Sequence, residues 1–172
     1  ARRLVIAHRG GSGLRPENTL AAFEHGLAIG ADALELDVHL SADGHPVVCH
    51  DATLERTTNG RGAVEHLSVV ELKRLDAGAN FTRDGGRSFP WRGRGVTVST
   101  FDEIVEALPR SLPCIIELKT PAATEPLRQA IRRHAMEQRI LVAGFDPQAT
   151  RPLRGAGFAL GASTPDVVAL LP

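Results

Sequence analysis

"CIIELKTP", residues 114–121, decides the fold: its first five positions are apolar except for Glu117, and the run then breaks at Lys119 and a proline. A short run so nearly continuous in apolar residues reads as a parallel strand covered on both faces, because a strand with one wet face would alternate apolar and polar positions. Runs of the same kind recur at 3–8, 33–38, 46–51, 140–145 and 158–162, with 140–145 spelling "ILVAGF". Each reads as a strand, which makes six.

Helix starts lie between them. Ser68 with Glu71, and Thr100 with Glu103, have the spacing of a capping box, in which hydroxyl and carboxylate satisfy orphan backbone donors. Asp146 before Pro147, and Thr164 before Pro165, place an N-cap ahead of a proline at the first helical position. In "TLAAFEHGLAIG", residues 19–30, Leu20, Phe23 and Leu27 share one helical face and Gly30 is a stop. Strand followed by helix, repeated, implies an α/β fold with a mainly parallel sheet, either open or closed into a barrel. "DGHP" at 43–46 breaks the alternation and joins the second and third strands directly, as a hairpin or short loop. The stretch 79–95, rich in glycine and arginine, is a loop or small insertion. In such folds function belongs at the carboxyl ends of the strands.

Composition narrows the partners. The 172 residues suit one domain, taken as 1–172. Lys plus Arg and Asp plus Glu both total 20, so no bulk charge points to nucleic acid or an acidic membrane surface, and any anion must be caught locally. Cys49 and Cys114 lie in apolar runs rather than metal-type pairs, which predicts buried free thiols in a reducing, cytoplasmic setting. No apolar stretch approaches the roughly 18 residues of a transmembrane helix. No secretory leader is expected from the first residues, although a chain beginning at Ala1 leaves a removed one open.

Charged groups collect at the strand ends. In "ALELDVHL", residues 33–40, Glu35 and Asp37 project from one face while Leu34, Leu36 and Val38 face the other. Alone, that pair also fits a solvated strand end. Adjacent carboxylates stay ionised only beside a cation, so one divalent metal, Mg²⁺ or Ca²⁺, is the economical explanation. Glu117 and Lys119 repeat the geometry: the acid completes a carboxylate set and the lysine offers a point charge to a phosphate oxygen, although by themselves the two also read as an ion pair. "PVVCHD" ends in His50 and Asp51, and "VIAHRGGSGLRPENT", residues 5–19, breaks at His8, Arg9 and two glycines. Two histidines can divide proton removal from a nucleophile and proton donation to a leaving group. His25, His39, His45, His66 and His134 show no such convergence and take no role, and Cys49 packs away from His50. Four strand ends thus deliver three carboxylates, two histidines, Arg9 and Lys119 to one place. That inventory suits cleavage of a phosphate ester, whose charge a metal and the two cations would neutralise.

With these residues in view, "AHRGGSGLRPENTLAAF", "LELDVHLSADGHPVVCHD", "LERTTNGRG", "LSVVELKRLDAG" and "IIELK" follow one another across about the first 120 residues, and in them the chain resembles the glycerophosphodiester phosphodiesterase family. The resemblance implies a (β/α)₈ barrel of the TIM type that hydrolyses glycerophosphodiesters to glycerol 3-phosphate and an alcohol with a divalent metal. It implies His8 and His50 as the acid–base pair, Glu35, Asp37 and Glu117 as metal ligands, and Arg9 and Lys119 as phosphate contacts. Glu17 and Asn18 of "PENT" match a motif lining the substrate site, Phe145 walls the pocket, and a cap around 52–95 helps select the alcohol. Gly144 stands where the family usually carries serine. The family's late segments, among them a tryptophan-bearing strand, are not found, and the only tryptophan is Trp91. A barrel with about six of its eight strands exposes edges and apolar surface, so further strands or a second copy of the chain are expected to close it. Two other outcomes are a related lysophospholipase D-type or sphingolipid-type phosphodiesterase, and a catalytically inactive truncated barrel.

Overall fold

The computed structural model describes residues 3–161. Its elements in chain order are β1 (Ile6–Ala7), α1 (Leu20–Ala28), β2 (Ala33–Leu40), β3 (Pro46–Val48), α2 (Val69–Leu72), α3 (Phe101–Ala107), β4 (Cys114–Leu118), α4 (Thr124–Arg133), β5 (Ile140–Ala143), α5 (Pro147–Thr150) and β6 (Ala159–Leu160). The six strands form one sheet. Along the path β1-β2-β4-β5-β6 every pairing is parallel, whereas β3 lies off that path, antiparallel to β2 with Val38 opposite Val48. "DGHP" therefore closes a hairpin. The helix start expected at Thr164 and Pro165 falls outside the described residues.

Local rules explain the helix starts. Ser68 and Thr100 each accept from the backbone N–H three residues on, and Glu71 and Glu103 accept in return, so both capping boxes form. The Asp146 carboxylate accepts the Gln148 N–H at 2.8 Å with Pro147 at the first helical position. Thr19 caps α1, and the chain leaves that helix through Gly30 at φ 98°.

One apolar layer anchors the strands. Leu34, Leu36 and Val38 of β2 join Ile116 and Leu118 of β4 and Val142 of β5 in a buried cluster with Phe23, Ile104, Leu127 and Ile131 from α1, α3 and α4. Helices thus cover one face and leave the other to Glu35, Asp37 and Glu117. The expectation that these strands are buried on both faces needs correction for β4 and β5, which alternate buried and half-buried positions, because among the described residues the charged side of these two strands is only partly covered. At the β1 edge, Leu4 is 66 % and Val5 59 % exposed, since β2 alone pairs with that strand. The stretch 52–95 folds over β3 on an apolar cluster of its own, in which Leu54, Val64, Leu72 and Ala77 meet Val47, Cys49 and Val98. Both cysteines are buried and free, and burial pushes the Cys49 thiol up to about 12 and Cys114 to about 11.

Of the glycine pair after Arg9, the first has a packing reason. Gly10, at φ 77°, lies so close to α1 that a Cβ there would sit 2.8 Å from Ala22 and Phe23, and Gly26 of α1 approaches the Gly10 carbonyl just as closely, at 2.9 Å from its own would-be Cβ. Gly10→Ala is expected to cost about 2–4 kcal/mol, because the left-handed backbone and the overpacking add. Gly11→Ala, with open space around its Cβ, should cost only about 1–2 kcal/mol from its left-handed φ. Urea unfolding of the two variants measures the difference, and equal losses would remove the packing explanation.

Candidate active site

Parallel pairing of β2 with β4 sets Asp37 opposite Glu117 and Glu35 opposite Ile115, so three carboxylates from two strands converge on one face. One oxygen from each carboxylate lies within 4.8 Å of the other two. Burial foremost pushes the Glu35 carboxyl above its ordinary value; the Arg9 N–H hydrogen bond opposes this, and the charges of Asp37 and Glu117 add to it. Asp37 is fully buried. Its Oδ2 accepts the Asn18 amide at 2.7 Å and lies 3.4 Å from Arg9 Nε. Its Oδ1 is 2.9 Å from Lys119 Nζ, close enough for charge attraction, but the pair is misaligned for a hydrogen bond and Oδ1 has no hydrogen-bond partner. An orphaned buried carboxylate oxygen between two further carboxylates is a donor set for a hard cation, so the residues fit a divalent metal.

The cations expected at the phosphate are drawn into this cluster. Lys119 Nζ also lies 2.5 Å from Glu117 Oε1. The Arg9 N–H donates to Glu35 Oε2 at 2.8 Å, and its Nη1 donates to Glu17 Oε1 at 3.0 Å. Arg9 and Asn18 hold φ values of 50° and 57°, a left-handed conformation that non-glycine residues adopt at some energetic cost. The turn aims both "PENT" side chains inward: Asn18 bridges the carboxylate and the N–H of Asp37, and Glu17 grips Arg9 and Arg56. Burial raises the Glu17 carboxyl, but the Arg56 and Arg9 guanidiniums outweigh it and hold the group below its ordinary value. Glu17 also lines a cavity of about 220 Å³ beneath the insertion, with Ser12, Asn80 and Phe81.

His50 reaches the site through the β2–β3 hairpin. β2 runs past the acid cluster, turns, and sends β3 back, so the Cys49 N–H donates to the Asp37 carbonyl at 3.1 Å and His50 follows just beyond the end of the returning strand. It lines a cavity of about 570 Å³ with His39, Glu117, Lys119, Phe145 and Asp146, and Phe145, 71 % exposed, stands at the rim. His8 is not among the residues lining that cavity. Its Nε2 lies 4.0 Å from Glu35 Oε2, so the carboxylate cluster has His8 beside Glu35 and His50 in the cavity that Glu117 lines.

Three neighbours of His50, namely Asp51, Arg56 and His39, carry no role in the sequence reading. Asp51 Oδ1 accepts His50 Nδ1–H at 2.6 Å, and Arg56 Nε donates to Asp51 Oδ2 at 2.5 Å. These bonds, led by that from Arg56, hold the Asp51 carboxyl down at about 2. His39 donates from Nε2 to the His50 carbonyl at 3.2 Å, and burial lowers its pKa. Extending the two-residue alternation from Glu35 and Asp37 by one step would have found His39; no local pattern would have found Arg56.

Residues 8–151 match the sequence profile of the Glycerophosphoryl diester phosphodiesterase family. The chain belongs to that family. A glycerophosphodiester phosphodiesterase of Caldanaerobacter subterraneus subsp. tengcongensis is 40 % identical over 157 residues, covering 88 % of this chain and 61 % of the relative. The crystal structure of a glycerophosphoryl diester phosphodiesterase domain from Mycobacterium tuberculosis superposes with a TM-score of 0.88 at 29 % identity, over 95 % of this chain and 60 % of that one. A phosphodiesterase of Oleispira antarctica, solved with its product sn-glycerol-3-phosphate, gives 0.80 at 32 % identity, over 92 % of this chain and 65 % of that one. The chain therefore spans about three fifths of the length of such members of the glycerophosphoryl diester phosphodiesterase family. Its five parallel strands are part of the TIM-type barrel of these relatives.

Proposed function

We propose that the chain carries the site of a metal-dependent phosphodiesterase that hydrolyses glycerophosphodiesters to glycerol 3-phosphate and an alcohol. The observation that carries this reading is the convergence of Glu35, Asp37 and Glu117 within 4.8 Å, with a buried Asp37 oxygen that takes no hydrogen bond. These residues would hold Mg²⁺ or Ca²⁺, which when bound supplies Lewis-acid neutralisation of phosphoryl charge. Arg9 and Lys119, already against these carboxylates, stand where a phosphate oxygen would meet positive charge. One of His8 and His50 takes the proton of the attacking oxygen as its bond to phosphorus forms, and the other returns a proton to the alcohol oxygen as its bond breaks. The half-exposed insertion around 52–95 acts as a cap over the alcohol, with Phe145 on the rim of the cavity beyond. No helix among the described residues is long and apolar enough to cross a membrane, and the free, buried cysteines suit a cytoplasmic setting. The open β1 edge suits cover by further strands or by a second copy of the chain.

Incubation with glycerophosphocholine and Mg²⁺ or Ca²⁺ should release glycerol 3-phosphate, and excess chelator should reduce release to background. Lysophosphatidylcholine as a competing substrate separates the lipid-directed activity. No release with either cation would leave the inert barrel as the better description.

A further inference from the structure

We propose that Arg56 is a positioning residue: by gripping Asp51 and Glu17 at once, it fixes the His50 imidazole with Nδ1 turned to Asp51 and leaves Nε2 as the nitrogen that exchanges a proton with substrate. This rests on the reading of His50 as an acid–base group. Arg56 comes from the insertion rather than from the sheet. Its Nε and Nη2 reach both oxygens of Asp51 at 2.5 and 3.1 Å, while Nη1 and Nη2 reach both oxygens of Glu17 at 2.8 and 2.7 Å. Only a planar guanidinium can present such a double fork, since lysine would supply the charge without the geometry.

Asp51 needs the grip. Its side chain is 29 % exposed, and a carboxylate so placed can turn to water and release its neighbour. With Oδ2 held by Arg56, Oδ1 stays 2.6 Å from His50 Nδ1, which must carry the proton because an ionised carboxylate only accepts. A carboxylate acting on the remote ring nitrogen in this way selects tautomer and orientation, which is what a proton-transferring histidine requires. The backbone is held as well, through His39 on the His50 carbonyl. Glu17 at the other end of Arg56 also binds Arg9, whose N–H meets Glu35. One guanidinium thus ties the histidine to the carboxylate cluster and both to the insertion. A purely structural stitch would use the same contacts, so stability alone does not discriminate.

Long-range ¹H–¹⁵N spectra of histidine-labelled protein report the tautomer whether or not turnover occurs. His50 is expected as the Nδ1–H form in the unaltered chain and as a mixture with Nε2–H in both Arg56→Gln and Arg56→Lys. If the chain turns over glycerophosphocholine, kcat should fall about 10- to 100-fold with KM within about twofold, the range seen when a partner orienting a site residue is lost. Should the Arg56 variants not fold, Glu17→Gln loosens the same fork, and a smaller shift in the same direction is expected. An Nδ1–H tautomer unchanged in every folded variant overturns the proposal. Absence of turnover in the unaltered chain would instead count against the phosphodiesterase reading and leave the tautomer result to decide the role of Arg56.

Discussion

Asp37→Asn is expected to abolish divalent-cation binding, reducing the heat of a Mg²⁺ or Ca²⁺ titration to that of dilution and removing cation-dependent release of glycerol 3-phosphate. Asparagine keeps the shape and can keep the Asn18 contacts, so the variant tests charge and the orphaned Oδ1 rather than packing. Stability should fall as well, because Arg9 Nε at 3.4 Å and Lys119 Nζ at 2.9 Å lose a buried counter-charge. Cutting an isolated buried pair costs about 3–5 kcal/mol. Here about 2 kcal/mol is expected, since the change also relieves repulsion from Glu35 and Glu117 within the same 4.8 Å cluster. Glu35→Gln makes the contrast. That carboxyl is already pushed toward its neutral form by burial, so the cation-free protein should change by less than about 1 kcal/mol while losing cation affinity. A cation titration of Asp37→Asn indistinguishable from that of the unaltered chain would dissolve the metal centre.

The parts of this site legible in the sequence follow short-range rules. Two-residue alternation is enough to put Glu35 and Asp37 on the face away from Leu34, Leu36 and Val38, and parallel pairing then brings Glu117 level with Asp37. Capping boxes at Ser68 and Thr100 involve atoms three residues apart and formed as read. Direction of approach was harder. β4 ends opposite Val38, so His39 lies beyond the parallel ladder and pairs with Val47 of the returning strand; "DGHP" signals the direct connection, but no local pattern says that the returning strand sets the His50 carbonyl against His39. The resemblance places Glu17 and Asn18 along the substrate site; the left-handed turn at Asn18 sends Asn18 to Asp37 and Glu17 to Arg9 and Arg56 while Glu17 also lines a cavity, and side-chain periodicity carries no information about such a φ. The bond from Arg56 to Glu17 spans 39 residues and depends on how the insertion folds over β3. Lys119 and Arg9 were likewise legible as cations but not as partners already engaged by Asp37.

His50→Ala is expected to lower kcat for glycerophosphocholine by about 10²- to 10⁴-fold, the usual worth of a positioned proton carrier, while cation binding stays unchanged. No contact joins His50 to Glu35 or Asp37 directly, and its ring is held by Asp51, so the loss should be confined to the chemical step. His8→Ala should give a loss of the same order, although its side chain is 65 % exposed and reaches the cluster only at Glu35. The two variants should separate when the alcohol is replaced by p-nitrophenol. A phenolate departs without needing a proton, so the variant lacking the general acid recovers most of its rate on that substrate and the variant lacking the general base does not. The cavity that His50 shares with Phe145 and Asp146 lies on the Glu117 side, and His8 stands on the Glu35 side, so a diester bridging the cluster would present its leaving alcohol oxygen to one imidazole and the in-line attacking oxygen to the other. If both variants recover equally, or neither loses rate on either substrate, proton transfer does not divide between these histidines, and the acid–base groups lie elsewhere in the site.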